Sequence, residues 1–217
     1  MRSLRNKYYF TVEGHNEDWY FDHLKELIEG NSNYLVKFVK KCQYSPLKFA
    51  KRYSSVYNSD LWHIRDFESK EPEFQKIFKS ELDELKEVNK TKTGVSYYLG
   101  YSNLCFELWM ILHKMDFSVP LNNRKQYLQY INSAYKQNYK KIDDYKDEKE
   151  FKKILNSITL NDVKDAVRRA KTIEEKCKYN TYKLIEHSKG ISYYQENPSL
   201  SIHKFIEKIL NDTKIII

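Results

Sequence analysis

Three carboxylates stand where two short apolar stretches of the chain end: Glu13 follows Lys7–Val12, and Asp66 and Glu68 follow Leu61–Arg65. Carboxylates are hard oxygen donors, and one to three of them, with bound waters, satisfy the octahedral shell of Mg²⁺. If the two stretches are adjacent parallel strands of an open sheet, their carboxyl ends lie side by side, where such sheets bind ligands. Asp66 and Glu68, two positions apart in extended chain, then project to one side and can face one ion. Without a cation, three clustered carboxylates repel one another and raise at least one pKa. The plainer reading of acids after strands is helix capping, and Glu17 and Asp18 read as partners of a helix N-terminal dipole.

A fourth acid stands in an unusual setting. Leu104–Leu112 carries Glu107 as its single charge. A helix apolar nearly all round is buried, and a lone carboxylate there is costly unless paired, hydrogen-bonded or on a metal. Two readings stay open: a structural acceptor for Arg65 or a backbone turn, or a group at the same metal centre. His63 and Arg65, on the strand that ends at Asp66, are candidate contacts to a phosphate. In Tyr135–Lys141 aromatic rings alternate with cations, which suits stacking of Tyr135 and Tyr139 on unpaired bases plus phosphate pairing by Lys140 and Lys141. Arg168 and Arg169, with Lys171, form a second basic cluster. Ordinary solvated helix faces are the plainer account of both.

The elements that must position these groups follow from periodicity. Residues 7–12, 34–39, 61–65 and 95–99 are rich in β-branched and aromatic residues and read as strands. Helical spacing or charge patterning fills the intervals: from Asn16 to Gly30, from Pro46 to Tyr57, 72–89, and about 103–113. This alternation predicts an α/β fold with a mostly parallel sheet flanked by helices. Beyond residue 120 the pattern predicts helices only, over about 123–136, 147–156, 161–178, 180–188 and 200–211. The expected organisation is a core over 1–118 and an α-helical extension over 119–217 packed on it.

Composition sets bounds. The chain has 217 residues, 5 glycines, 4 prolines and a net charge of +8. Scarce Gly and Pro argue against repeated tight turns or a disordered linker protein. Cys42, Cys105 and Cys177 are too few and too far apart for a disulfide framework or structural zinc. No apolar stretch is long enough to span a membrane and the first residues lack a signal-peptide pattern, so a cytoplasmic protein with no membrane contact is expected. The positive excess lies mostly in the second half and favours phosphate polymers or other acidic partners. No P-loop pattern occurs, so ATP hydrolysis would belong to a partner.

Tyr8-Tyr-Phe-Thr-Val-Glu-Gly14 followed by Glu17-Asp-Trp-Tyr-Phe21 resembles the opening signature of RloB-type proteins, which include the AbiLii abortive-infection proteins. Tyr101-Ser-Asn-Leu-Cys-Phe-Glu-Leu-Trp-Met-Ile-Leu-His113 is similar to the same family's Ser-Asn-Pro-Cys-Phe-Glu-Leu-Trp-x-x-x-His segment, and Asn197-Pro-Ser199 to its closing Asn-Pro-Ser-Thr. The resemblance implies a Toprim-like fold in which Glu13 takes the role of the acid after strand one, and Asp66 and Glu68 those of the Asp-x-Asp after strand three, together holding Mg²⁺, with Mn²⁺ as the substitute. The chain departs from the pattern at Leu104, where the family usually has Pro, and at Glu68, where Toprim proteins carry Asp.

What the resemblance implies is a Mg²⁺-dependent nuclease serving as an anti-phage effector, with RNA, and tRNA in particular, favoured over DNA. Glu13, Asp66, Glu68 and Glu107 are then its catalytic residues. A related defence nuclease, AriB, is similar in architecture and partners an ATPase, which implies an AAA- or ABC-type ATPase partner; a homodimer is a further expectation. The alternative is a catalytically inactive Toprim-like subunit that binds or regulates within an ATPase complex. A nucleotide-binding or nucleotide-synthesising role, as in primases, is a third reading.

Overall fold

The first strand, β1 (Leu4–Val12), is buried on both faces, and this explains its unbroken run of large side chains. Tyr8, Phe10 and Val12 enter one core cluster and Tyr9 the other, as the two-residue period of a strand requires. This computed structural model describes residues 4–53, 59–68 and 71–216. Beside β1 run β2 (Tyr34–Cys42) and β3 (Ser59–Asp66), both parallel to it; β4 (Val95–Asn103) runs parallel to β3, and β7 (Ser199–Leu200) closes the far edge antiparallel to β4. The sheet order is β2-β1-β3-β4-β7.

Helices cover both faces. α1 (His15–Asn31) buries Tyr20, Phe21, Leu24 and Ile28 at helical spacing, and Lys40 of β2 ties it down through Asp18 (2.6 Å) and Asp22 (2.9 Å). α2 (Pro46–Arg52) is started by Ser45, whose side chain accepts the N–H of Lys48, with Pro46 in the first turn where its missing N–H costs nothing. α3 (Pro72–Thr91) lays a stripe of Phe78, Leu82, Leu85 and Val88 on the sheet and keeps most of its charges outward, Glu81 and Glu84 excepted. α4 (Glu107–Leu112) is buried at every position.

The second half contributes α5 (Tyr127–Tyr135), α6 (Ile142–Lys146), α7 (Glu148–Leu155), α8 (Leu160–Tyr179) and α9 (Ile202–Asp212). The last of these lies across β4 at Gly100. A Cβ there would meet Ile64 Cδ1 at 2.7 Å and the Ile202 backbone at 3.4 Å, so only glycine lets α9 approach. No described helix is long and apolar enough to cross a membrane.

The fold is therefore mixed α/β with a mostly parallel five-stranded sheet, as the sequence implies, and four of its differences are informative. Residues 180–188, expected as helix, form instead β5 (Leu184–Ser188), paired with β6 (Ile191–Tyr194) in a hairpin. Lys189-Gly190 supplies the turn, with Gly190 at φ 81°, which suits glycine. The second half is thus not helices alone, and β7 makes it part of the sheet. The helix expected from about 103 starts only at Glu107, because Val95–Asn103 stays extended. The second helix ends at Arg52; the rest of its expected span, apart from Tyr53, lies outside the described residues.

Candidate functional site

The chain leaves β1 toward β2 on one side and returns through β3 toward β4 on the other. At such a reversal the carboxyl ends of the two central strands border a crevice. Glu13 is the first residue past β1 and Asp66 the last of β3. Glu13 Oε2 accepts the backbone N–H of Asp66 at 2.7 Å, and Oε1 lies 2.8 Å from Arg65 Nη1. Arg65 also places its Nε 2.8 Å from Glu81 Oε2 on α3, so one guanidinium fixes two carboxylates. His63 Nδ1 is 2.7 Å from Thr11 Oγ1, and its Nε2 faces Glu81 at 3.7 Å. Glu13, His63, Arg65, Glu68 and Glu81 share the wall of a cavity of about 490 Å³.

A second layer of charge lies beneath Asp66. Glu107, at the start of α4, is 2 % exposed and pairs with Lys146 Nζ at 3.1 Å. The cation that faces Glu107 is Lys146 from α6, not Arg65. Glu17 is likewise buried. It occupies the helix N-terminal turn expected of it, yet its carboxylate also folds back over Gly14, where a Cβ would lie 2.8 Å from Glu17 Oε2. Gly14 has an extended backbone (φ −133°), so the glycine gives room for this carboxylate rather than an unusual backbone angle.

The electrostatics follow from burial. Burial pushes the Glu13 carboxyl up to about 8; Arg65 opposes this, while Glu17 and Glu68 add to it. Asp66 is raised well above the usual carboxylate range, first by burial, then by Glu13, Glu17 and Glu107, with Lys146 opposing. Glu17 is also raised, chiefly by burial. Glu107 differs: burial raises it, but Lys146 and the Cys105 thiol together hold it below the ordinary value. The Cys105 thiol is driven up by burial and by Glu107 and Asp66, so it stays protonated and donates.

Glu68 sits in a left-handed turn (φ 58°), with its carboxylate 3.0 Å from Arg124 Nη1. The turn is held by the N–H groups of Phe67 and Glu68, bonded to the carbonyls of Ser102 and Leu104 at 2.9 Å each. Phe67 between the two acids packs on Phe78 and Tyr193, which ties the acidic loop to the β5–β6 hairpin. The two later motifs also meet here. Ser199 pairs with Asn103 across β7 and β4, and Asn103 Nδ2 donates to the carbonyls of Tyr194 and Glu196. The Tyr127 hydroxyl lies between the Asn103 carbonyl (3.2 Å) and Asn197 Oδ1 (3.0 Å).

The structure thus brings Glu13, His63, Arg65, Asp66, Glu68 and Glu107 together. Lys140 and Lys141 are exposed on the segment entering α6, whose last residue is the Lys146 that meets Glu107. Arg168 and Arg169 sit on α8 and are otherwise engaged: Arg168 with Asp165, Arg169 with Asp116 (3.0 Å) and the Leu112 carbonyl (2.7 Å). Sequence reading did not place Glu17, Glu81, Arg124 or Lys146 at the site. Only Glu17 carried a usable signal, its place in the Tyr8–Phe21 opening motif.

Among the described residues, no three Asp, Glu, His or Cys side chains converge closely enough to enclose a metal ion. Mg²⁺ does not need such an enclosure, since it binds through one or two carboxylates and keeps several waters. Asp66 carries no ion pair among the described residues and stands beside Glu13; the repulsion and burial that raise both pKa values are what a divalent cation offsets. The residues present fit the ion.

Fold and site together define an α/β protein with a buried acidic crevice at the switch point of a mostly parallel sheet. The RloB-like protein family matches residues 8–209, nearly the whole chain, and the chain belongs to that family. No curated protein and no solved structure matches it.

Proposed function

We propose that this protein is a Mg²⁺-dependent phosphodiesterase of the Toprim type that cuts RNA, tRNA above all, as an effector of anti-phage defence. The observation that carries the reading is the contact of Glu13 with the backbone N–H of Asp66 (2.7 Å) at the switch point, with more carboxylate than cation buried around it. Membership of the RloB-like family supports the defence setting.

Asp66 and Glu13 would hold the ion, Mg²⁺ or in its place Mn²⁺, which supplies charge neutralisation at a phosphate and a bound water of lowered pKa. The remaining work falls to this chain's own groups. Arg65 orients the Glu13 carboxylate, and Glu81 in turn orients Arg65. Alternatively, with the ion on Asp66, Glu13 acts as the general base, a role that a Glu carboxyl raised by burial can fill in its ionised form. Lys146 neutralises Glu107 under the site, so that Asp66 does not face a second unpaired charge. The positive net charge favours a polyanionic substrate, and a separate ATPase chain would supply any ATP hydrolysis.

A second reading has one observation in its favour: the carboxylates of Glu13 and Glu68 are each already held by an arginine. That pairing suits an inactive subunit that binds within an ATPase complex. Total tRNA, other RNA and plasmid DNA, incubated with the protein in Mg²⁺, Mn²⁺ or EDTA, separate the two. Metal-dependent cleavage abolished by Glu13→Ala and by Asp66→Ala establishes the nuclease. No cleavage of any substrate, with and without the partner ATPase, leaves the binding subunit.

A further inference from the structure

The cavities bordering the sheet's edges and α1 carry carboxylates in their walls: Glu26, Asp60 and Asp212, Asp22, and the acids around Glu13. One cavity, of about 400 Å³ between α3, the start of β4 and the turn of the β5–β6 hairpin, does not. It is lined by Lys86 and Lys90 of α3, Lys189 of the hairpin turn, and the polar side chains of Asn89, Ser96 and Ser188, with no acid among the described residues of its wall.

Lys86 and Lys90 are four residues apart and so share one helix face, where like charges repel. Lys189 reaches the same space from a different element. None of the three has an ion pair among the described residues, whereas many other lysines of the chain do. The buried Ser188 Oγ has no hydrogen-bond partner among the described residues, so a donor is left over in the wall. Asn89 does not compete for a ligand, because both ends of its amide are spent on the backbone of Tyr97 (2.6 and 3.0 Å).

Three unneutralised ammonium groups, a spare hydroxyl and an acid-free wall are complementary to an anion of tetrahedral, multi-acceptor form. We infer that this cavity is a phosphate-binding site, distinct from the acidic crevice. It lies at the amino end of β4, where Val95 is seven residues and about 23 Å of strand from Ser102, the partner of Asp66. It takes the phosphate of a nucleotide or of a polynucleotide backbone, and it does so whether or not the acidic crevice cuts anything.

The test is binding in EDTA, with metal removed from the acidic crevice, of three phosphate carriers: inorganic phosphate, ATP and a single-stranded 12-residue oligoribonucleotide. Trp62 gives a fluorescence readout, since it stacks on Tyr98 (5.1 Å) in the cavity wall. Wild type and Lys149→Ala, an exposed lysine elsewhere, are expected to bind alike, and Lys86→Ala/Lys90→Ala at least tenfold more weakly. Because the like-charge repulsion is then gone, the double variant without ligand should melt no lower than wild type, and phosphate should raise only the wild-type melting temperature. Tighter binding of ATP than of the oligomer assigns a nucleotide site; tighter, salt-sensitive binding of the oligomer assigns a backbone anchor. Equal binding by the double variant, or no binding of any carrier by wild type, overturns the inference.

Discussion

At the residue scale the buried ion pair of Lys146 with Glu107 is the contact on which the acidic site rests. Its side chains are 28 % and 2 % exposed, so neither charge is well solvated. The Lys146 ammonium is raised above its ordinary value: burial opposes this, but Glu107, Asp66 and Glu17 outweigh it. Removing one partner of such a pair strands a buried charge, whereas replacing both by apolar groups of similar volume is often neutral. Lys146→Met is therefore expected to cost about 3–5 kcal/mol of stability, and Lys146→Met/Glu107→Leu much less than the sum of the two single changes. Urea midpoints of the four proteins close the cycle. Additive losses would mean that the two residues act independently and that Lys146 does not anchor α6 to the site.

At the scale of elements, α1 and α4 are joined by a polar contact inside the core. The Tyr20 hydroxyl lies 3.1 Å from His113 Nε2, and His113 Nδ1 lies 3.0 Å from the Trp109 carbonyl. Burial drives the imidazole down to about 4, against the opposing pull of its backbone partners and Asp162. The folded state thus prefers neutral histidine, while the unfolded chain takes up a proton near 6.5. The stabilisation is complete above pH 6.5 and is lost as pH falls from there through about 4, a loss of about 3 kcal/mol over that window. His113→Gln should flatten this part of the stability–pH curve, as followed by urea denaturation at several pH values. An unchanged slope would mean that other groups set the acid sensitivity.

Elements also differ in how far the sequence announces them. Strands β1, β3 and β4 were legible because they are largely buried on both faces and so rich in large apolar side chains; β2, an edge strand with only Val36 fully buried, was legible from its aromatic and β-branched residues. The hairpin was not. Leu184-Ile-Glu-His-Ser follows a lysine-rich helix end, its exposed side chains keep no clear period, and its fold depends on Tyr193 packing on Phe67 and Phe78 far away in sequence. In the site, Glu13 and Asp66 were legible from their place after strands. Lys146 and Arg124 were not, because nothing local distinguishes a lysine or arginine that reaches a distant carboxylate from one in solvent. Glu17 sits where any helix would welcome an acid, and only its burial gives it a second role.

For the whole molecule, the question is whether the sheet and the later helices are separable. Their packing argues that they are not. Phe205 of α9 contacts the rings of Tyr8, Phe10, Phe21 and Trp62, which come from β1, α1 and β3. Ile202, Ile206, Ile209 and Leu210 are fully buried in the same cluster. Ser201 closes the strand edge, accepting the Tyr101 N–H through its Oγ (3.1 Å) and donating its own N–H to the Tyr101 carbonyl (2.8 Å). A fragment ending at residue 118 would leave this apolar face and the β4 edge in water, and is expected to aggregate rather than fold. In the full chain Phe205→Ala should cost about 3–5 kcal/mol. It should do so in a single transition, seen alike by tyrosine and tryptophan fluorescence and by far-UV circular dichroism. If the variant instead melts in two steps, with the sheet surviving the loss of α9, the two halves are independent units, and the acidic crevice could be studied in the first alone.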